Sequence, residues 1–256
     1  MSGLMEQIAS GIEAKPQRIM LYGVHGVGKS TWASLAPKPI FIQTEDGLGG
    51  IDCDKFPLAT EFADIIAALS ELYSNENRYQ TIVIDSLDWL EALIWKEVCK
   101  KHNVKNIEDI GYAKGYTFAI DYWRQVLDGL TALRALKGTM TIFLAHAGVE
   151  RFENPATESY DRYVPKLHKK ASAVVQEWCD EVLFATYLVH TKSTKEGFDK
   201  KRSQGIGTGE RTLYTAERPS HVAKNRLNLP YELGMAWDVL AEYIPTAPKA
   251  KPRAKK

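Results

Sequence analysis

Four short runs of this chain are apolar at nearly every position: Ile19-Met20-Leu21-Tyr22, Ile40-Phe41-Ile42, Ile82-Val83-Ile84 and Met140-Thr141-Ile142-Phe143-Leu144-Ala145. Runs this short, with no polar alternation, read as strands covered on both faces, which is the habit of a parallel sheet. They predict strands over 18–22, 39–43, 81–85 and 140–145. The stretches between them carry apolar residues at helical spacing over 30–35, 61–73, 87–101 and 116–136, the first stopped by Pro37. Strand and helix therefore alternate, and the predicted fold class is α/β: a mostly parallel sheet with helices on both faces. After residue 150 the pattern changes. A polar and aromatic loop is expected to run to Pro165, followed by a helix over Lys169–Trp178 and strands over 182–190 and 211–215. Those strands flank 191–210, rich in Gly, Lys and Ser, which predicts a mobile β-hairpin extension. The expected organisation is an N-terminal segment 1–16, one core over 17–244 with mobile loops at 147–170 and 191–210, and a tail over 245–256.

Composition narrows the classes. At 256 residues and 45% apolar, the chain can bury one substantial core. No apolar run approaches the ~20 residues of a membrane span, and the opening Met1-Ser2-Gly3-Leu4-Met5-Glu6 lacks a basic region followed by an apolar one, so no membrane association is expected. Cys53, Cys99 and Cys179 are scattered and odd in number, which argues against a disulfide framework and fits a reducing, cytoplasmic setting. The formal charge of +1 is uneven: five of the chain's 33 bases lie in the tail, leaving 28 bases against 32 acids elsewhere, a net of −4. A Pro/Ala/Lys tail cannot bury enough apolar surface to fold and is expected to be disordered. It reads either as an electrostatic arm for nucleic acid or as a solubilising terminus.

The chemistry is concentrated in Gly23-Val24-His25-Gly26-Val27-Gly28-Lys29-Ser30, with Thr31 following, which fills the G-x-x-x-x-G-K-[ST] phosphate-binding pattern between a predicted strand and a predicted helix. A glycine-rich loop can turn its N–H groups inward around phosphate oxygens while the helix N-terminus adds a positive partial charge. Lys29 would reach the β- and γ-phosphates and Ser30 would hold Mg²⁺, making ATP and Mg²⁺ the expected ligands. Asp85 closes an apolar strand, where one carboxylate can orient a water on that metal; the alternative is a helix cap. Ser86 rather than Glu follows it, and no D-x-x-G or N-K-x-D pattern for guanine is present. Hydrolysis then needs a carboxylate from another strand end, and Glu45 stands there, with Asp46 and Asp88 in reserve.

In this arrangement the chain resembles the RecA family, whose catalytic glutamate follows the second core strand. His146 stands where that family usually carries a glutamine that senses the γ-phosphate, or it is simply a satisfied histidine at a strand end. Lys224 and Arg226 resemble the basic pair that RecA-like ATPases and hexameric helicases insert into a neighbour's active site; the alternative is a solvated strand face. The loop after the sensor strand contacts single-stranded DNA in that family. Here it contains Arg151, Phe152, Tyr160, Arg162, Tyr163, Lys166, Lys169 and Lys170, cations and rings suited to sequence-tolerant strand binding, diluted by Glu150, Glu153, Glu158 and Asp161. The compact size is similar to phage AAA-type nucleotide-binding proteins and the RecA-core annealing recombinases. That resemblance implies an ATPase stimulated by single-stranded DNA, self-association into a ring or filament, a role in annealing or recombination, a single-strand DNA-binding protein as partner, and the bacterial host cytoplasm. A small-molecule phosphotransferase and a nucleotide-switched, non-catalytic DNA scaffold stand as alternatives.

Overall fold

The computed structural model describes residue 8, residues 14–195 and residues 201–245, with the side chains of 189–208 excepted. The basic tail from 246 onward and the tip of the 191–210 segment lie outside the described residues.

Strands β1 (Arg18–Gly23), β2 (Pro39–Gln43), β4 (Thr81–Asp85) and β5 (Met140–Phe152) are the four predicted ones, joined by a short β3 (Asp54–Lys55). With β7 (Glu181–Lys195), β8 (Lys201–Tyr214) and β10 (Glu232–Gly234) they form a sheet ordered β10-β8-β7-β1-β5-β4-β2-β3. The segment from β7 to β3 is parallel; β8 and β10 are antiparallel additions. The fold class is the expected one.

Each central strand divides its apolar side chains between two cores. Met20, Tyr22, Ile82, Ile84, Phe143 and Phe184 face helices α2 (Phe62–Ser74), α3 (Leu87–His102), α4 (Lys114–Lys137) and α5 (Lys169–Trp178). Ile19, Leu21, Val83, Ile142, Leu144 and Leu183 face the opposite way, toward α1 (Lys29–Ser34) and α6 (Trp237–Ala241), where the Trp32 and Trp237 rings meet edge to face. The lack of alternation in the sequence thus has its cause: both faces are buried, so neither selects polar residues.

Two regions differ from expectation. The stretch after β5 is not an irregular loop: β5 runs on to Phe152 and pairs antiparallel with β6 (Tyr160–Pro165), from Ala147 opposite Pro165 to Phe152 opposite Tyr160. The cations and rings, read as loop composition, are distributed over both faces of a two-stranded ribbon. The predicted hairpin around 191–210 is also present, but its arms are longer, with β7 pairing β8 out to Lys195 and Lys201.

Candidate functional site

The parallel strands end together. Gly23 sits opposite His146 and Gln43 opposite Asp85, so the phosphate loop, Glu45, Asp85 and His146 converge on the carboxyl edge of the sheet, where open α/β sheets bind ligands. Thr44 fixes the spacing between two of these ends: its N–H donates to the Asp85 carbonyl at 2.7 Å, its hydroxyl donates to the Ser86 carbonyl at 2.7 Å, and Ser86 N–H donates back to that hydroxyl at 2.7 Å. Glu45 is carried beside Asp85 as a result.

The phosphate loop is built as its sequence requires. Gly26 and Gly28 have φ of 73° and 95°, the left-handed region that glycine enters freely, and a Cβ on Gly26 would meet nothing. Gly23 has no such latitude, since a Cβ there would strike the carbonyl of Ala185 on β7. Lys29 is 8% exposed and donates to the carbonyls of Gly23 and Val24, both at 3.2 Å. Burial pulls its ammonium below the ordinary lysine range, against the nearby negative charge of Asp85, Glu45 and Asp88. The Ser30 hydroxyl donates to Asp85 Oδ2 at 2.7 Å.

This donor set fits a magnesium-bound triphosphate. A hydroxyl and a carboxylate oxygen are hard ligands, and Mg²⁺ takes one or two protein oxygens with substrate phosphates completing the site. Among the described residues no group of three or more His, Cys, Asp or Glu is arranged to hold a metal by itself. A buried lysine resting on two neutral carbonyls at the mouth of an open glycine loop is likewise suited to receive phosphate oxygens.

The side of the cleft around His146 holds more than one carboxylate. Burial pushes the Glu45 carboxyl above the ordinary range, opposed by His146. His146 Nδ1 lies 2.9 Å from Asp88 Oδ2, its backbone N–H donates to Asp88 Oδ1 at 3.3 Å, and its Nε2 is 4.0 Å from Glu45 Oε1. Burial would raise Asp88, but the contacts with His146 outweigh it and hold that carboxyl below its usual range. His25 of the phosphate loop stacks on the His146 ring at 4.3 Å, and the charge of His146, ahead of burial, lowers the His25 pKa. Burial raises Asp85, opposed by the Ser30 hydroxyl and Lys29.

Two contacts on the loop had no sequence signal. Tyr187 donates to the Gly26 carbonyl at 2.9 Å, and Arg211 Nη1 donates to the Val27 carbonyl at 3.3 Å. Both come from the β7–β8 ribbon, where they face each other. Only the sheet order brings them to the loop.

Lys224 and Arg226 are not brought to this site within the chain. β9 (Lys224–Asn225) pairs with Glu181 and Val182 at the start of β7, the end of the sheet opposite Gly23. Lys224 Nζ donates to the carbonyls of Gln176 at 2.9 Å, Glu177 at 2.9 Å and Cys179 at 2.6 Å, closing the C-terminus of α5. The expectation that both cations are held out for a neighbour is corrected for Lys224, whose three donors have partners at home. Arg226 contacts Asp180 at 3.1 Å while its side chain stays 56% exposed.

The eight residues expected to touch DNA divide. Phe152, Tyr160 and Arg162 share one face of the β5–β6 ribbon, with the guanidinium 3.9 Å over the Phe152 ring and 3.3 Å from Glu217. Arg151 and Tyr163 belong to the other face, and Tyr163 stacks on Phe184 at 4.9 Å. Lys166, Lys169 and Lys170 are exposed beyond the ribbon, Lys170 donating to the Thr117 hydroxyl at 2.7 Å.

A family profile described as AAA domain, AAA_24, matches residues 15–227. The SPbeta prophage-derived uncharacterized protein YorG of Bacillus subtilis (strain 168) is 26% identical over 225 residues. The match takes in 86% of this chain but 62% of that relative, so the chain spans less than two thirds of its length. A crystal structure of the RadB recombinase aligns over 78% of this chain and 80% of its own at 13% identity, with a TM-score of 0.46. No helix among the described residues is long and apolar enough to cross a membrane.

Proposed function

This chain belongs to the AAA-domain family AAA_24, and from that premise we propose that it binds and hydrolyses ATP with Mg²⁺, binds single-stranded DNA, and promotes annealing in a phage setting. The observation that carries the reading is the joining of Ser30 to Asp85 at 2.7 Å beside a buried Lys29, with Glu45 and His146 4.0 Å apart across the same cleft. Bound Mg²⁺ supplies charge neutralisation of the phosphates. Ser30 and Asp85 hold it. Lys29 exchanges two neutral carbonyls for phosphate oxygens, a stronger charge-assisted bond. Glu45 orients the attacking water, and its upward-shifted carboxyl is a better proton acceptor than an ordinary glutamate. Asp88 holds His146 through Nδ1, leaving Nε2 directed at the Glu45 side, where it senses the transferred phosphoryl group.

Single-stranded DNA is assigned to the β5–β6 ribbon and the lysines beyond it, because they continue from the strand that carries His146. The relative's prophage origin supports the phage setting. Self-association, with Arg226 turned to a neighbour's nucleotide, and a single-strand DNA-binding protein as partner belong to the same reading. Phosphate release with and without single-stranded DNA tests it. Turnover that rises with DNA is expected; turnover onto a small acceptor would favour a phosphotransferase, and nucleotide binding without turnover a scaffold.

A further inference from the structure

Beside the nucleotide site, and sharing Asp88 with it, lies a cavity of about 600 Å³ between α3 and the β5–β6 ribbon. That volume is in the range of small-molecule pockets. Its walls include Trp89, Trp95 and Val164, so it can hold a flat apolar ring. Trp89 is 51% exposed, an uncommon cost for an indole that has no partner to serve.

Among the polar groups lining the cavity, which include Asp88, Glu150, Lys166 and His168, Glu91 stands out. It is 5% exposed, and its Oε2 accepts from the His168 N–H at 2.9 Å, but Oε1 has no hydrogen-bond partner among the described residues. A buried carboxyl oxygen left unpaired is costly, and a donor on a ligand seated in the cavity would satisfy it. Burial pushes this carboxyl up to about 7, so it can take a proton or accept one N–H near neutrality. His168 is held flat against Tyr116 at 4.0 Å, which fixes the N–H that positions Glu91. Lys166 lines the rim, and Lys169 and Lys170 follow it, exposed, at the start of α5.

We propose that this cavity takes one unstacked nucleobase of the single strand, ring against Trp89 and an exocyclic amine donating to Glu91 Oε1, while Lys166 meets the adjoining phosphate. The inference rests on the single-strand reading above and adds to it a built base site. Stacking accounts for the exposed indole, and the amine for the orphaned oxygen. Asp88 borders the same cavity and holds His146 on its other side, so an occupied cavity touches the nucleotide site through one carboxylate.

The test compares a labelled oligo-dC strand with an abasic strand of equal length, which keeps the phosphates and removes the rings. The wild-type chain is expected to bind oligo-dC about tenfold more tightly, the scale of one stacked base. In Trp89→Ala, and to a lesser degree in Glu91→Gln, that preference collapses toward unity while abasic binding and its salt dependence stay as they were. Equal binding of both strands by the wild type, or a preference that survives both substitutions, overturns the cavity assignment and leaves the electrostatic reading standing. Failure of either strand to bind at low salt overturns both.

Discussion

His146 Nδ1 sits 2.9 Å from Asp88 Oδ2, so the imidazole midway along β5, where its pairing with β1 ends, is held by a carboxylate in the first turn of α3. The other ring nitrogen is thereby directed toward Glu45, 4.0 Å away. On the proposed mechanism this divides the labour: Glu45 would face the reaction, and Asp88 would position the histidine. Glu45→Gln should keep nucleotide affinity and lose turnover by roughly 10²–10⁴-fold, the usual contribution of a positioned base. Steady-state phosphate release with a parallel nucleotide titration checks it. Asp88→Asn should lower turnover less and change its pH profile, because an amide still accepts a hydrogen bond but no longer supplies a charge to the ring. A rate unchanged in Glu45→Gln would move the role to another carboxylate.

Among the described residues Lys29 has no hydrogen-bond partner other than the carbonyls of Gly23 and Val24, so its removal breaks no ion pair there. Lys29→Ala should fold normally and lose triphosphate affinity by about 10–100-fold, the scale of one or two hydrogen bonds to a charged group. Isothermal titration with ATP gives the affinity, and thermal melting confirms the fold. Undiminished affinity would sink the assignment of the phosphate loop.

The phosphate loop and the four central strands were legible because their signals are local: a fixed spacing of glycines with Lys29 and Ser30, and apolar runs long enough for one strand each. Glu45 and Asp85 were reached by counting to strand ends. What stayed hidden depends on partners distant in the chain. Lys-x-Arg looks the same whether Lys224 points to a neighbour or closes α5, and only the pairing of β9 with β7 decides it. Arg211 carries no motif, yet the β7–β8 ribbon lays it on the phosphate loop. Asp88 reads in the sequence as a reserve catalytic carboxylate, and only the register puts His146 beside it.

Two buried glutamates make stability depend on pH. Glu91 and Glu181 are 5% and 0% exposed, and burial raises both carboxyls to about 7. In the unfolded chain a glutamate titrates near 4.3. Below that value both states carry the proton and the favourable contribution is whole; it is lost as pH rises toward about 7, where the folded state must charge a buried group. Melting temperature should therefore fall between about pH 5 and 7.5. Glu181→Gln should flatten the decline, since Oε1 keeps its bonds from the Arg226 and Leu227 N–H groups. A slope identical to wild type would refute the assignment.

DNA binding through Arg151, Lys166, Lys169 and Lys170 is expected to be electrostatic, with any sequence preference confined to the one base seated against Glu91. The logarithm of affinity for single strands should fall with the logarithm of salt at about −0.7 per phosphate neutralised. Replacing Lys166 and Lys169 by Ala should weaken binding evenly across sequences and reduce that slope by between one and two phosphates' worth. Binding indifferent to salt, or stronger on duplex, would count against the β5–β6 ribbon as a single-strand surface.

Lys224 and Arg226 should separate into a structural and an intersubunit role. Lys224→Ala removes three bonds to the carbonyls that end α5, and should cost roughly 1–3 kcal/mol in denaturant unfolding, the scale for hydrogen bonds to a charged group. Its turnover per folded molecule should match wild type. Arg226 is more than half exposed and shares Asp180 with Arg18 and Arg134, so Arg226→Ala leaves that carboxylate paired and should barely change stability. If Arg226 reaches a neighbour's nucleotide, the contact joins two different surfaces and builds a ring or a filament, and turnover must rise with protein concentration. Mixing Arg226→Ala with Lys29→Ala then decides the matter. The first keeps an intact phosphate loop and the second an intact arginine, so mixed assemblies should regain part of the lost turnover. A fully active Arg226→Ala on its own, or mixed assemblies that form and stay inactive, would reduce Arg226 to a partner of Asp180 and leave the site complete within one chain.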